Sequence, residues 1–300
     1  MNFFLISLSA IAVLLFSSFA PLQSQIPGTD IFVLDFKLKD GRLQPGVPRN
    51  ITKRAGYDNQ PHFLPNGKSL LFTSIREDGQ ADIYKCDLAD YSISQLTRTT
   101  ESEFSANAMP DGKHFSVVRV EKDSSQRLWK FPLAGGAPSL VLEKVKPVGY
   151  HAWINANTIA LYVLGTPSVL QVAEVSAGQA KIVGGNIGRS LHKIPQREAF
   201  SFVHKINEEM WIIKVFDLKA SKTKILFKAV EGSEDCAWTP DGLLLMGSGS
   251  KLYQRYPERN QEWIEIADFS SAGVRNLTRL AVSPKGNRIA VVSADQNHSN

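Results

Sequence analysis

The chain has 300 residues, 43% of them hydrophobic and 21% charged, with a formal net charge of +5 at pH 7. That balance allows one large core, and a single domain accounts for the length. The 34 basic residues are dispersed among 29 acidic ones without a run of five like charges, which excludes a basic nucleic-acid-binding tract.

From the N-terminus, Phe3 to Ala20 is apolar and uncharged, and Pro21-Leu22-Gln23-Ser24-Gln25-Ile26-Pro27-Gly28 follows as a stretch rich in breakers. The pattern reads as a signal peptide over residues 1–24, with cleavage near Ser24 and a short linker over 25–29. The rival reading is an uncleaved membrane anchor, because about eighteen apolar residues just span a bilayer. No cysteine lies at the junction to carry a lipid. Export to the periplasm or the medium is the resulting expectation.

Asp30-Ile31-Phe32-Val33-Leu34-Asp35 reads as a strand and Arg49-Asn50-Ile51-Thr52 as the end of another. A repeat of roughly 45 residues then begins. Aligned on Phe63, its equivalents are Ala108, Trp153, Lys193, Trp238 and Val282. Each unit reads as four short strands. A Pro-x-Gly turn joins the first two (Pro65-Asn66-Gly67, Pro110-Asp111-Gly112, Pro240-Asp241-Gly242, Pro284-Lys285-Gly286), with Pro fixing φ and Gly supplying a positive φ. The second strand is an apolar run, such as Leu70-Leu71-Phe72 or Ile289-Ala290-Val291-Val292, as expected for a strand buried on both faces. The third and fourth units lose the turn signature (Asn155-Ala156-Asn157, Pro195-Gln196-Arg197) but keep the strand pattern.

Units of this period cannot bury their faces alone and stack into a ring or array. The sixth unit ends after its second strand near Ser293, and the two strands before residue 53 complete it. The expectation is an all-β, six-bladed propeller of four-stranded blades over 30–294, with a tail over 295–300. Its N- and C-terminal strands share one blade and close the ring, which removes exposed sheet edges.

The residues Asn59-Gln60-Pro61-His62-Phe63-Leu64-Pro65-Asn66-Gly67-Lys68, then Thr73-Ser74-Ile75-Arg76-Glu77-Asp78-Gly79, then Asp82-Ile83-Tyr84-Lys85-Cys86-Asp87-Leu88 resemble the repeat of TolB-type six-bladed propellers. Met109-Pro110-Asp111-Gly112-Lys113 and Trp238-Thr239-Pro240-Asp241-Gly242 match as well. The resemblance implies the fold, covering nearly everything after residue 29. It carries no particular activity, since propellers host scaffolds and enzymes alike. TolB has an α/β domain before its propeller, and here about thirty residues precede the first strand.

Crossings from the outermost strand of one blade to the innermost of the next encircle one mouth of the channel, where recognition residues belong. They supply Asp58, Gln60, Glu103, Tyr150, Arg189, Glu234, Asp235, Arg275 and Arg279 as candidates, Arg and Tyr being frequent interface anchors. Three histidines, His62, His151 and His192, fall on innermost strands where Ala152, Ala237 and Ala281 stand in other units. Completed by Asp58, Glu103 or Asp235, they define an alternative site for a divalent metal. That arrangement would resemble the oligogalacturonate lyases, propellers with a histidine-bound metal.

Cys86 and Cys236 fall in different units and are expected to lie too far apart for a disulfide. No Gly-x-Ser-x-Gly elbow, phosphate-cradling glycine loop or His-Glu-x-x-His motif is present. Asn50, Asn276 and Asn297 begin glycosylation sequons, relevant only where exported proteins are glycosylated. The expected function is a cofactor-free, monomeric binding or scaffold propeller that holds a protein or peptide at its mouth. It binds no nucleic acid, and a membrane only if the N-terminal segment stays uncleaved. The alternative is a metal-dependent enzyme acting on carbohydrate.

Overall fold

The computed structural model describes residues 27–259 and 262–295. The signal-peptide and anchor readings of residues 1–24, and the tail after Asp295 with the Asn297 sequon, lie outside the described residues. The described chain is all-β apart from a 3-10 turn at Ser270–Ala272.

The first strands are β1 (Thr29–Lys39), β2 (Arg42–Pro45), β3 (Arg49–Asn50), β4 (Tyr57–Phe63), β5 (Ser69–Ile75), β6 (Ala81–Asp87) and β7 (Ile93–Gln95). Four-stranded antiparallel sheets follow. They comprise β8 (Ser102–Ala108), β9 (His114–Val120), β10 (Gln126–Pro132) and β11 (Ser139–Leu140), then β12 (Val148–Trp153), β13 (Thr158–Val163), β14 (Val169–Glu174) and β15 (Gln179–Gly185). Next come β16 (Ile187–Lys193), β17 (Ala199–Lys205), β18 (Trp211–Asp217) and β19 (Lys222–Lys228), then β20 (Cys236–Trp238), β21 (Leu244–Ser248), β22 (Lys251–Arg255) and β23 (Ile264–Asp268). The chain closes with β24 (Thr278–Val282) and β25 (Arg288–Ala294).

The terminal strands pair with each other. β25 runs antiparallel to β1 from Thr29↔Ala294 to Asp35↔Arg288, β24 lies on the far side of β25, and β3 pairs with β1. A single parallel bridge, Thr29↔Tyr57, joins this group to the sheet of β4 to β7, giving nine connected strands.

The second strands are buried on both faces because each sheet packs against two neighbours. Leu70 and Phe72 of β5 pack with Ile31 and Val33, while Leu71 between them packs with Phe115 and Val117. Side chains alternate across a strand, so one apolar run serves two cores. The turn glycines take the left-handed conformation, Gly67 at φ 65° and Gly112 at φ 66°. In the third unit an Asx turn replaces that chemistry, Asn155 Oδ1 accepting from the backbone N–H groups of Asn157 and Thr158.

One element departs from the expected four strands per unit. β1 runs on to Lys39 and folds back as β2 through Asp40 (φ 51°) and Gly41 (φ 72°), the dihedral signature of a type I′ hairpin. This hairpin reaches the sheet of β20 to β23. Phe36 and Leu43 enter its core beside Leu245 and Leu252. Gln254 clamps it, its Oε1 accepting from Leu43 N–H (2.8 Å) and its Nε2 donating to the Gly41 carbonyl (3.1 Å).

Candidate binding cavity

The strands β4, β8, β12, β16, β20 and β24 line one central cavity of about 350 Å³. Equivalent positions of the repeat contribute in every case. Gln60, Ser105, Tyr150, Ser190, Asp235 and Arg279 stand three residues before the alignment position, and all six line the cavity. Register shifts interrupt β4, β8, β12, β16 and β24 in this region. Gln60, Ser105 and Arg279 sit there at φ 57°, 54° and 49°, an uncommon conformation for side-chain-bearing residues that re-aims them at such bulges.

One end of the cavity is charged. The Arg189 fork grips Asp235, with Nε to Oδ1 at 3.1 Å and Nη2 to Oδ2 at 2.6 Å, and Arg189 Nη1 lies 2.8 Å from Glu234 Oε1. Lys205 Nζ approaches Glu234 Oε2 at 3.0 Å. Burial alone would raise the Asp235 carboxyl, but the charges of Arg279 and Arg189 and the Arg189 fork outweigh it and hold the group below its ordinary range. Arg279 Nη2 donates to Tyr150 Oη at 2.8 Å. Burial pushes the Tyr57 phenol up to about 12, Tyr150 adding to the rise and Arg279 and Arg189 opposing it, so the phenol is neutral at ordinary pH.

The three histidines all line this cavity. Burial pushes His62 and His192 down to about 4 and His151 down to about 3, His192 adding to the fall at His62 and His62 to the fall at His151. All three are therefore neutral at pH 7. His151 Nε2 lies 2.6 Å from Ser116 Oγ, which also accepts from Trp153 Nε1 at 2.9 Å. His192 Nε2 lies 3.0 Å from Ser190 Oγ. Among the described residues no three His, Cys, Asp or Glu side chains are grouped to hold a metal ion.

Several expected mouth residues lie elsewhere. Asp58 and Glu103 are fully buried and outside the cavity lining. Asp58 pairs with Arg54 Nε at 3.0 Å, and Glu103 Oε1 lies 3.4 Å from Arg119 Nε. The reason is register: five residues before the alignment position stand Asp58, Glu103, Val148, Gly188, Ser233 and Leu277, and all six are buried. Four apolar or small residues in that column were the available signal that it faces packed neighbours. Arg275 is exposed and outside the lining; its backbone carbonyl accepts from Ser293 Oγ at 2.9 Å. Gln60 lines the cavity, yet its Oε1 is held by Thr73 Oγ1 and Ser105 N–H, each at 2.8 Å. Asn107 lines the cavity and Lys205 pairs with Glu234 beside it, and neither was singled out by the sequence. Cys86 and Cys236 are both buried free thiols.

These sheets and this cavity have a TolB-like propeller fold. A protein assigned as TolB in Agrobacterium tumefaciens matches with a TM-score of 0.71 at 14% identity, over 90% of this chain and 99% of that one. TolB from Acinetobacter baumannii matches at 0.58 and 12% identity, over 89% of this chain and 64% of that one. An oligogalacturonate lyase in complex with manganese matches at 0.52 and 12% identity, over 91% of this chain and 99% of that one. No model of a known protein family matches the chain.

Proposed function

We propose that the chain is a binding or scaffold propeller that receives a protein or peptide segment at the charged end of its cavity. The single observation that carries this reading is the cavity itself. Innermost strands from all six repeat units converge on it, and arginine, tyrosine and carboxylate groups gather at one end. Converging side chains on a rigid sheet scaffold are a common recognition device. The fold likeness to TolB supports a binding module.

The same proposal takes the sheets as six blades over 30–294, with β24, β25, β1 and β3 as a shared closing blade. It takes the propeller as monomeric and residues 1–24 as a signal directing export to the periplasm or the medium. Among the described residues no helix is long and apolar enough to cross a membrane.

A photo-crosslinking residue at Arg275 or Lys205, irradiated in the producing cells, tests the binding reading. A discrete protein adduct from these positions, absent when the crosslinker sits at Asp111 in the opposite turns, is the expected result. No adduct, or equal adducts from both ends, overturns it. A metal-dependent carbohydrate enzyme is the second reading, favoured by the placement of His62, His151 and His192 in one cavity and by the lyase likeness. A stoichiometric metal in the purified protein, lost in a His62→Ala/His192→Ala variant that still folds, would support it.

A further inference from the structure

The charged end of the cavity does not balance. Arg189, Lys205 and Arg279 face Glu234 and Asp235, three cations against two anions. Both Asp235 oxygens are engaged by Arg189, and Glu234 is shared between Arg189 and Lys205. Arg279 is the cation without a direct ion pair: it feels the Asp235 charge, whose oxygens Arg189 already grips. Its guanidinium donates to the Tyr150 hydroxyl and forms no direct ion pair with a described carboxylate. It also lies over the Tyr150 ring, 4.7 Å from the centroid. Tyr57 cannot supply the missing charge, because its phenol stays protonated.

A partly enclosed cation that shares its nearest carboxylate with a second cation, and makes no direct ion pair with it, favours an anion from outside. Arginine presents parallel N–H groups that match the two oxygens of a carboxylate. The backbone at Arg279 is held at φ 49°, an uncommon conformation for side-chain-bearing residues that recurs at ligand clamps. Below Arg279 the wall is made of Leu280 and Ala281, with Ala237 beside them, which leaves an apolar seat for whatever carries the acid. The cavity volume, about 350 Å³, lies at the small end of ligand pockets.

We infer that the cavity takes a single carboxylate group, seated on the Arg279 guanidinium between Tyr57 and Tyr150, with its small apolar substituent against Leu280 and Ala281. This deepens the binding reading above and rests on it. The chemistry is shared by two sources, the C-terminal end of a peptide and a free small organic acid.

The test is a titration of the full-length protein, followed through the indole signals of Trp153 and Trp238, which line the cavity. The probes are N-acetylalanine, its amide and acetate. N-acetylalanine is expected to shift these signals saturably and to bind at least tenfold more tightly than the amide. Arg279→Gln should abolish that preference, and Arg197→Gln, outside this cavity, should keep it. Acetate binding as tightly as N-acetylalanine identifies a free acid as the source, and weaker acetate binding identifies a peptide end. Equal binding of acid and amide, no binding of either acid, or an unchanged preference in Arg279→Gln overturns the inference. If Arg279→Gln does not fold, Arg279→Lys keeps the charge without the fork. A smaller preference for the acid then supports the inference, and an unchanged one overturns it. The two readings fail separately. A crosslinked partner that survives Arg279→Gln removes the carboxylate and leaves the mouth, whereas acid binding without any crosslinked partner does the reverse.

Discussion

Replacing Glu103 by Gln probes the buried carboxylate beside β8. Burial pushes this carboxyl up to about 7, against hydrogen bonds from Thr99 and Thr97 and the charge of Arg119, with Asp82 adding to the rise. The side chain has no exposed surface. Because its folded pKa lies above the ordinary 4.5, the folded protein holds this proton more tightly than the unfolded chain does. The resulting stabilisation is complete below the unfolded pKa and is lost as pH rises through about 7. A rise from 4.5 to about 7, at about 1.4 kcal/mol per unit, corresponds to about 3 kcal/mol. Gln keeps the shape and the acceptor for Thr99, and Arg119 retains Glu101 as a partner. Urea unfolding of wild type and Glu103→Gln across the window from about pH 4.5 to pH 8 reads the difference directly. Glu103→Gln should gain about 3 kcal/mol on the wild type across that window. A difference that stays flat refutes the reasoning, because it would mean that burial does not raise this carboxyl.

Gly247→Ala on β21 should destabilise by about 1–3 kcal/mol in the same assay, since the added methyl meets the buried Leu277 side chain; a loss below about 0.5 kcal/mol would show that Leu277 simply moves aside. Gln254→Leu strands the buried Leu43 N–H and should cost about 1–3 kcal/mol. It should also speed hydrogen exchange across Phe36 to Pro45, and unchanged exchange there would show that the hairpin is held by its apolar contacts alone. His192, pushed down to about 4 by burial, stabilises the fold above the unfolded value of 6.5, and this stability is lost as pH falls through about 4. His192→Gln should therefore move acid unfolding to lower pH, and an unmoved midpoint would refute a buried neutral imidazole.

The strand pattern was legible because it rests on local chemistry repeated in several units. Pro-x-Gly turns and double-faced apolar runs mark strands wherever they occur, and Asn155 could replace Pro and Gly because its side chain builds the same turn. The β1–β2 hairpin was readable too: Asp40-Gly41 between Leu38 and Leu43 is a hairpin signal. It falls outside the repeat's own period, so the pattern of the other units does not point to it. The site was less legible. Polar residues in a crossing segment look alike in sequence, but the strand's two-residue alternation and its bulges send Asp58 and Glu103 between sheets and Asp235 and Arg279 into the cavity.

The repeat period reappears as contact distance in the chain, and this separates structural from available charge. Ser105 N–H reaches Gln60 across 45 residues, Arg189 N–H reaches Glu234 across 45, and the Arg189 fork reaches Asp235 across 46. Each bond ties an inner strand to the equivalent strand of the next unit. Arg189, Glu234 and Asp235 thus act first as mortar between sheets, and truncating any one of them breaks a partly buried ion-pair network, so its loss confounds folding with binding. Arg279 is different. Its guanidinium bonds to the Tyr150 hydroxyl, 129 residues away, and acts on Asp235 by its charge without a direct ion pair, so a carboxylate can take the place of the hydroxyl. Among Arg189, Glu234, Asp235 and Arg279, substitution of Arg279 is therefore the test of the proposed recognition, and substitution of Asp235 the test of how the cavity is assembled.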